Sequence, residues 1–166
     1  IMHIILEDVF GVSQTDFYFG EEREMSEEEE KVFLLVKNRL LNNEPAQYIT
    51  GISDFYGMKL KVNPYVLIPR SETEELVDWI IEDNKLHLQG ASNGLKILDI
   101  GTGSGSIAIA LKKNITDAEV FAMEISDNAI DTAKQNAAMN EVEINFLQDD
   151  VLDIKNIGEV KFDIIV

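Results

Sequence analysis

The run Ile97-Leu-Asp-Ile-Gly-Thr-Gly-Ser-Gly-Ser-Ile-Ala-Ile-Ala-Leu111 limits what this chain can fold into more than any other stretch. A short apolar segment closed by an acid passes through three alternating glycines into a helical pattern. That is the order of a buried strand, a tight loop and a helix N-terminus. Gly101, Gly103 and Gly105 lack Cβ atoms, so the backbone there can take positive φ and come close to a ligand. The first N–H groups of the following helix are available to a polar or anionic group. The stretch reads as a cofactor loop.

The glycine spacing selects among cofactors. In the dinucleotide fingerprint G-x-G-x-x-G the third glycine would fall at Ser106. The order here is G-x-G-x-G, with Asp99 two residues ahead of the first glycine. An acid at that point repels a pyrophosphate and suits a ligand with an ammonium and a sulfonium charge, such as S-adenosylmethionine. Val120-Phe-Ala-Met then reads as a second strand that ends in Glu124. A carboxylate about 20 residues past such glycines can accept both ribose hydroxyls.

Charge and composition exclude several classes. The 166 residues carry a formal net charge of -17, so phosphate backbones are repelled and direct nucleic-acid binding is not expected. With no cysteine there are no disulfides, thiolate zinc sites or cysteine nucleophiles. His3 and His87 lack metal-ligand spacing, so no metal site is expected. No apolar run approaches the roughly 20 residues that span a bilayer, and no signal peptide is visible, which predicts a cytoplasmic protein without membrane contact. The chain starts at Ile1 inside a helical pattern and stops on Phe162-Asp-Ile-Ile-Val166, the composition of a buried strand. Both ends read as cut.

Residues 1–50 read as a helical domain. Ser13-Gln-Thr-Asp16 is expected to be a turn. Ser26-Glu-Glu-Glu29 forms a capping box on a helix carrying Val32, Phe33, Leu35, Val36 and Leu40, and the acids from Glu27 to Glu30 complement its dipole. Residues 51–70 read as a β-hairpin linker, in which Met58, Leu60 and Val62 alternate with Lys59 and Lys61 and Val66-Leu-Ile68 is expected to pair as the second strand. Residues 71–166 open on a second expected capping box, Ser71-Glu-Thr-Glu74. Its helix has Leu76, Val77, Ile80 and Ile81 on one apolar face and Trp79 packed at the edge of that face. After a loop over 89–94 the pattern is β-α-β-α-β-β, with a parallel sheet and right-handed crossovers. Lys112 and Lys113 close the first of those helices; Ser126 caps the second, which turns Ile130, Ala133 and Ala137 inward. Asp149 and Asp150 fall at the carboxyl end of the third strand, either as a solvated strand end or as acceptors for an adenine amino group.

Leu98-Asp-Ile-Gly-Thr-Gly-Ser-Gly105, Ile68-Pro-Arg-Ser-Glu-Thr-Glu74 and Pro45-Ala-Gln-Tyr-Ile-Thr-Gly51 together resemble the release factor glutamine methyltransferases of the PrmC/HemK family. The glycine loop alone marks only the broad class I methyltransferase fold; the stretch around Arg70 is far more specific. The resemblance covers essentially the whole chain. It implies an α/β fold: an N-terminal helical domain that engages the protein substrate, a β-hairpin linker, and the first half of a doubly wound, Rossmann-like sheet. It also implies methyl transfer from S-adenosylmethionine to the glutamine amide in the Gly-Gly-Gln motif of peptide chain release factors, by an enzyme that is a monomer when intact. By matching position, Gly101, Thr102, Gly103, Ser104 and Gly105 would hold the methionine end, Glu124 the ribose, and Asp150 and Val151 would flank the adenine.

The departures are Ser71 where the family usually has proline, Glu124 where it has aspartate, and Val151 at the adenine-stacking position. The family's catalytic Asn-Pro-Pro-Tyr motif would begin just past Val166, so no catalytic residue is assigned within this chain and the 166-residue piece by itself is expected to be silent. Two other readings are a nucleic-acid amino methyltransferase, which the acidic charge disfavours, and a non-catalytic cofactor-binding or docking module.

Overall fold

The computed structural model describes residues 2–20, 22–87 and 94–166. Apart from Gly94, the expected loop over 89–94 lies outside the described residues, as do the side chains of His3 and His87. The chain divides into two units, Ile1–Ile52 and Ser53–Val166.

The first unit is helical: α1 (Met2–Phe10), α2 (Gln14–Phe19), α3 (Glu27–Leu41) and α4 (Ala46–Thr50). The capping box at Ser26 forms as its spacing predicts, with the Glu29 N–H donating to Ser26 Oγ and the Ser26 N–H donating to Glu29 Oε2. Ser13 to Asp16 corrects the turn expected there. Ser13 Oγ accepts the Asp16 N–H while the Asp16 carboxylate accepts the Ser13 N–H, and this second box starts α2. In the last turn of α3, Arg39 lays its guanidinium fork on Glu44 at 2.7 and 2.6 Å and donates to the Tyr48 carbonyl at 3.1 Å. The pair holds the Glu44 carboxyl below the usual carboxylate range and raises Arg39 further. The buried apolar centre is small: Ile5, Val36 and Ala46. Val32, Phe33, Leu34 and Leu35 of α3 are left exposed.

The second unit opens on a hairpin, β1 (Ile52–Phe55) and β2 (Met58–Lys61), joined by Tyr56 and Gly57. Both turn residues have positive φ, 49° and 70°, which matches the twist of a two-residue hairpin. The alternation of Met58 and Leu60 inward with Lys59 and Lys61 outward is as expected. The partner strand is not. Val66 to Ile68 forms no strand, because Asn63 and Pro64 turn the chain first: Asn63 Oδ1 accepts the Tyr65 N–H and the Asn63 carbonyl accepts the Val66 N–H. Val66 and Ile68 are still buried, although neither belongs to a strand.

Next comes α5 (Ser71–His87). Ser71 is already its first helical residue, so the box expected from Ser71 to Glu74 is out of register. Glu74 instead accepts the Tyr56 N–H at 2.6 Å, and Tyr56 Oη donates to Asp78. Val77 and Ile81 face the core, but Trp79 is 66% exposed. Two residues beyond Val77 is roughly 200° around a helix, so the indole points away from the face that its apolarity suggests it should border.

The remaining elements are β3 (Lys96–Ile100), α6 (Ser106–Asn114), β4 (Glu119–Glu124), α7 (Asp127–Met139), β5 (Asn145–Gln148) and β6 (Ile164–Ile165), the expected β-α-β-α-β-β order. The sheet is parallel, ordered β5-β4-β3-β6. Ile97, Val120, Ala122, Ile109 and Leu111 are almost wholly buried between strands and helices, each large side chain adding about 1.5–3 kcal/mol. From β3 the chain goes to β4 and β5 on one side and returns to β6 on the other. The carboxyl end of β3 is therefore the point where strand order reverses, and a crevice opens there in such sheets.

Candidate cofactor site

The glycine loop occupies that reversal point. Its start is pinned across the end of β4, where the Met123 carbonyl accepts the N–H groups of Gly101 at 2.8 Å and Thr102 at 3.1 Å. Its end is a tight turn in which the Thr102 carbonyl accepts the Gly105 N–H at 2.8 Å. Gly101 and Gly105 take φ of 71° and 81°, conformations that side chains disfavour. The two serve different purposes. A Cβ on Gly101 would meet nothing within 4 Å, so that face of the loop is open. A Cβ on Gly105 would lie 3.2 Å from Ala133 Cβ and 3.0 Å from Ile109 Cδ1, so the residue is glycine to let α7 and α6 close on the loop.

The side chains between the glycines point inward. Thr102 and Ser104 are buried, and Thr102 Oγ1 donates to Asp99 Oδ2 at 2.7 Å. The same Asp99 oxygen accepts the Ala108 N–H at 3.2 Å, which ties the end of β3 to the first turn of α6. Asp99 is 2% exposed, and burial pushes its carboxyl up to about 6, against the opposing pull of the Thr102 and Ala108 hydrogen bonds and with the help of the nearby Glu124 charge. Asp99 therefore stands behind the loop as its anchor, while the Gly101 and Gly103 backbone forms the open face.

Glu124 closes the other side. Its Oε2 accepts the Gly103 N–H at 3.2 Å, and its Oε1 accepts the N–H groups of Ile125 at 2.9 Å and Ser126 at 3.2 Å. Ser126 in turn caps α7. Among the described residues neither Asp99 nor Glu124 forms an ion pair with a lysine or arginine. Two carboxylates of one sign about an open backbone cradle suit a ligand with positive charge and hydroxyl donors, and disfavour an anion.

The two acids after β5 separate in role. Asp149 accepts the N–H groups of Lys155, Asn156 and Asp150 at 2.8, 2.7 and 3.1 Å, which holds its carboxyl below the usual range and makes it the pin of its own loop. Asp150 is half-buried, with Oδ1 accepting the Leu152 N–H, and Val151 beside it is exposed. Among the described residues no group of three or more histidine, cysteine, aspartate or glutamate side chains could hold a metal, and no helix is long and apolar enough to cross a membrane.

One residue at the site escapes a reading of the sequence. Asn136 of α7 is fully buried and touches the glycine loop, where its Nδ2 donates to the Ser104 carbonyl at 2.8 Å. Its only signal is polar spacing, Thr132, Asn136 and Asn140 falling four apart along one helix face.

Comparison with known proteins bears on the same residues. Residues 2–51 match the family model described as the PrmC N-terminal domain, and residues 91–166 match a methyltransferase domain. The chain is 43% identical to the release factor glutamine methyltransferase of Flavobacterium psychrophilum, over 99% of this chain and 56% of that protein. It is 44% identical to that of Streptococcus pneumoniae, again over 99% of this chain and 56% of that protein. The chain thus spans about half the length of the curated relatives it matches. Among solved structures, Pyrococcus abyssi tRNA (uracil-54, C5)-methyltransferase in complex with S-adenosyl-L-homocysteine aligns at a TM-score of 0.51 and 22% identity, over 69% of this chain and 26% of that one, a likeness of fold alone.

Proposed function

We propose that this chain is part of a release factor glutamine methyltransferase, that it seats S-adenosylmethionine at the glycine loop, and that the whole protein methylates the glutamine side-chain amide in the Gly-Gly-Gln motif of peptide chain release factors; the relatives it matches over nearly its whole length support this. The observation that carries the reading is the open Gly101 and Gly103 backbone with the Asp99 and Glu124 carboxylates about it and no paired cation among the described residues. Bound there, the cofactor supplies an electrophilic methyl group on a sulfonium.

Each residue then has a task. Gly101 and Gly103, with the backbone of Thr102, Ser104 and Gly105, receive the methionine end without steric hindrance. Glu124 accepts the ribose hydroxyls in place of, or beside, the backbone N–H groups it holds now. Asp150 and Val151 flank the adenine. Asp99 keeps the loop in register with α6 and lends negative potential behind a cationic ligand. An amide nitrogen is a poor nucleophile because its lone pair is delocalised, so the reaction calls for orientation and exclusion of water rather than a strong base.

A protein substrate agrees with the surface of the helical unit, where α3 presents Val32, Phe33, Leu34 and Leu35 to solvent. The net charge of -17 agrees with a partner other than nucleic acid. We take residues 1–50 as the substrate-engaging domain, 51–70 as the linker and 71–166 as cofactor-binding, in a cytoplasmic protein that works as a monomer.

Calorimetry on this chain with S-adenosylmethionine and with NAD tests the site. Binding of the first alone is expected; binding of NAD, or of neither, overturns the reading. Transfer of a labelled methyl group from the cofactor to a release factor by the whole protein, lost when the Gly-Gly-Gln glutamine is replaced, tests the substrate.

A further inference from the structure

Asn136 spends its whole amide on two segments that are far apart in sequence. Oδ1 accepts the Lys61 N–H at 2.6 Å, and Nδ2 donates to the Lys61 carbonyl at 2.9 Å and to the Ser104 carbonyl at 2.8 Å. Toward Lys61 the side chain imitates a neighbouring strand, since it satisfies both backbone groups of the last residue of β2. Toward Ser104 it holds the one carbonyl that lies between Gly103 and Gly105.

Neighbouring contacts strengthen both ends of this link. One turn earlier on α7, Ala133 packs so near Gly105 that a Cβ there would sit 3.2 Å from it, so loop and helix cannot move independently. On the hairpin side, Asn63 Nδ2 donates to Thr132 Oγ1 at 2.9 Å, Lys61 Nζ to Gln135 Oε1 at 3.1 Å, and Asn140 Nδ2 to the Lys59 carbonyl at 3.1 Å. A polar seam on one edge of α7 thus holds residues 59–63, and among the described contacts Asn136 carries that seam onward to the glycine loop. A side-chain amide is planar and rigid, so a tilt of the Ser104 carbonyl is felt at Lys61.

We propose that Asn136 is a positioning residue that couples the β1–β2 hairpin to the glycine loop, so that occupancy of the loop and order in the hairpin reinforce each other. This rests on the loop's being the S-adenosylmethionine site. By reciprocity, anything that orders the hairpin, a docked protein substrate included, tightens the cofactor by the same factor.

Amide hydrogen exchange on the whole protein, with and without S-adenosylmethionine, tests the link. In the unaltered protein the cofactor slows exchange of the β2 amides, Met58 to Lys61, about 5-fold or more. Asn136→Asp keeps an acceptor for the Lys61 N–H and removes the donor to the Ser104 and Lys61 carbonyls. In that variant the glycine loop is still protected by cofactor, the hairpin effect disappears, and affinity falls about 5-fold or more. Should Asn136→Asp fail to fold, Asn136→Ser, which removes the amide from both segments, tests the link instead, and the measurement on the unaltered protein decides by itself. Cofactor binding that leaves the hairpin amides unchanged, or hairpin protection that persists in the variant, overturns the coupling and leaves the site assignment standing. If the unaltered protein binds no S-adenosylmethionine, both fall.

Discussion

Glu124 Oε2 accepts the Gly103 N–H at 3.2 Å, a bond between the end of β4 and the middle of the glycine loop, 21 residues earlier in the chain. The carboxylate that the sequence marks for a ribose is therefore also part of the loop's own scaffold. Glu124→Gln keeps a neutral acceptor for the backbone and removes the charge. Affinity for S-adenosylmethionine should drop about 10-fold or more, as a charge-assisted hydrogen bond of about 1.5–3 kcal/mol becomes a neutral one. Calorimetry on the variant checks this, and unchanged affinity would remove Glu124 from the site.

Gly101 and Gly105 should respond differently to alanine. Gly105→Ala meets Ile109 and Ala133 as well as an unfavourable φ of 81°, so it should lower folding stability by about 2–4 kcal/mol. Gly101→Ala carries only the cost of φ 71°, about 1–2 kcal/mol, but sets a methyl on the open face and should weaken the cofactor more than the fold. Urea unfolding and calorimetry on the pair separate the two effects. Equal losses of stability would contradict the assignment of an open and a closed face.

Asp99 gives the fold a definite pH signature. Its carboxyl ionises near 6 in the folded chain, against 3.8 for an aspartate free in water, so the folded form keeps the proton longer than the unfolded chain does. The stability it contributes is then fully present below about pH 4 and lost as pH rises to about 6. Asp99→Asn lacks this titration. The stability of the variant minus that of the parent should rise across that window by roughly 3 kcal/mol. Denaturant midpoints at pH 4 through 8 measure the difference, and parallel curves would refute it.

Val151 tests the adenine side. It is exposed beside Asp150, and an aromatic ring there would offer a larger stacking face than valine does. Val151→Phe should tighten S-adenosylmethionine about 3- to 10-fold, the worth of one aromatic stacking contact. If the substitution weakens binding, the adenine lies elsewhere.

Much of this fold is legible locally, and the misreadings have local causes. The capping box at Ser26 and the strand-loop-helix around Gly101 depend on residues within a few positions of each other, where spacing carries the full signal. Val66 to Ile68 looks like a strand because apolarity announces burial, and Val66 and Ile68 are indeed buried; Asn63 and Pro64 decide that this happens without a ladder partner. Ser71 fits a capping box by spacing, but Glu74 finds a better donor in Tyr56, 18 residues upstream.

By itself, the sequence determined the parallel α/β order, the place of the glycine turn and the acid at the end of β4, because periodicity, glycine spacing and charge are local properties. Only the tertiary structure decided that Thr102 and Ser104 turn inward, that Asp149 pins its own loop while Asp150 is half-buried and Val151 exposed, and that Asn136 binds Lys61 across 75 residues of chain. The reason is physical: a buried polar group must find a partner, and which partner it meets depends on the segment that packing brings beside it.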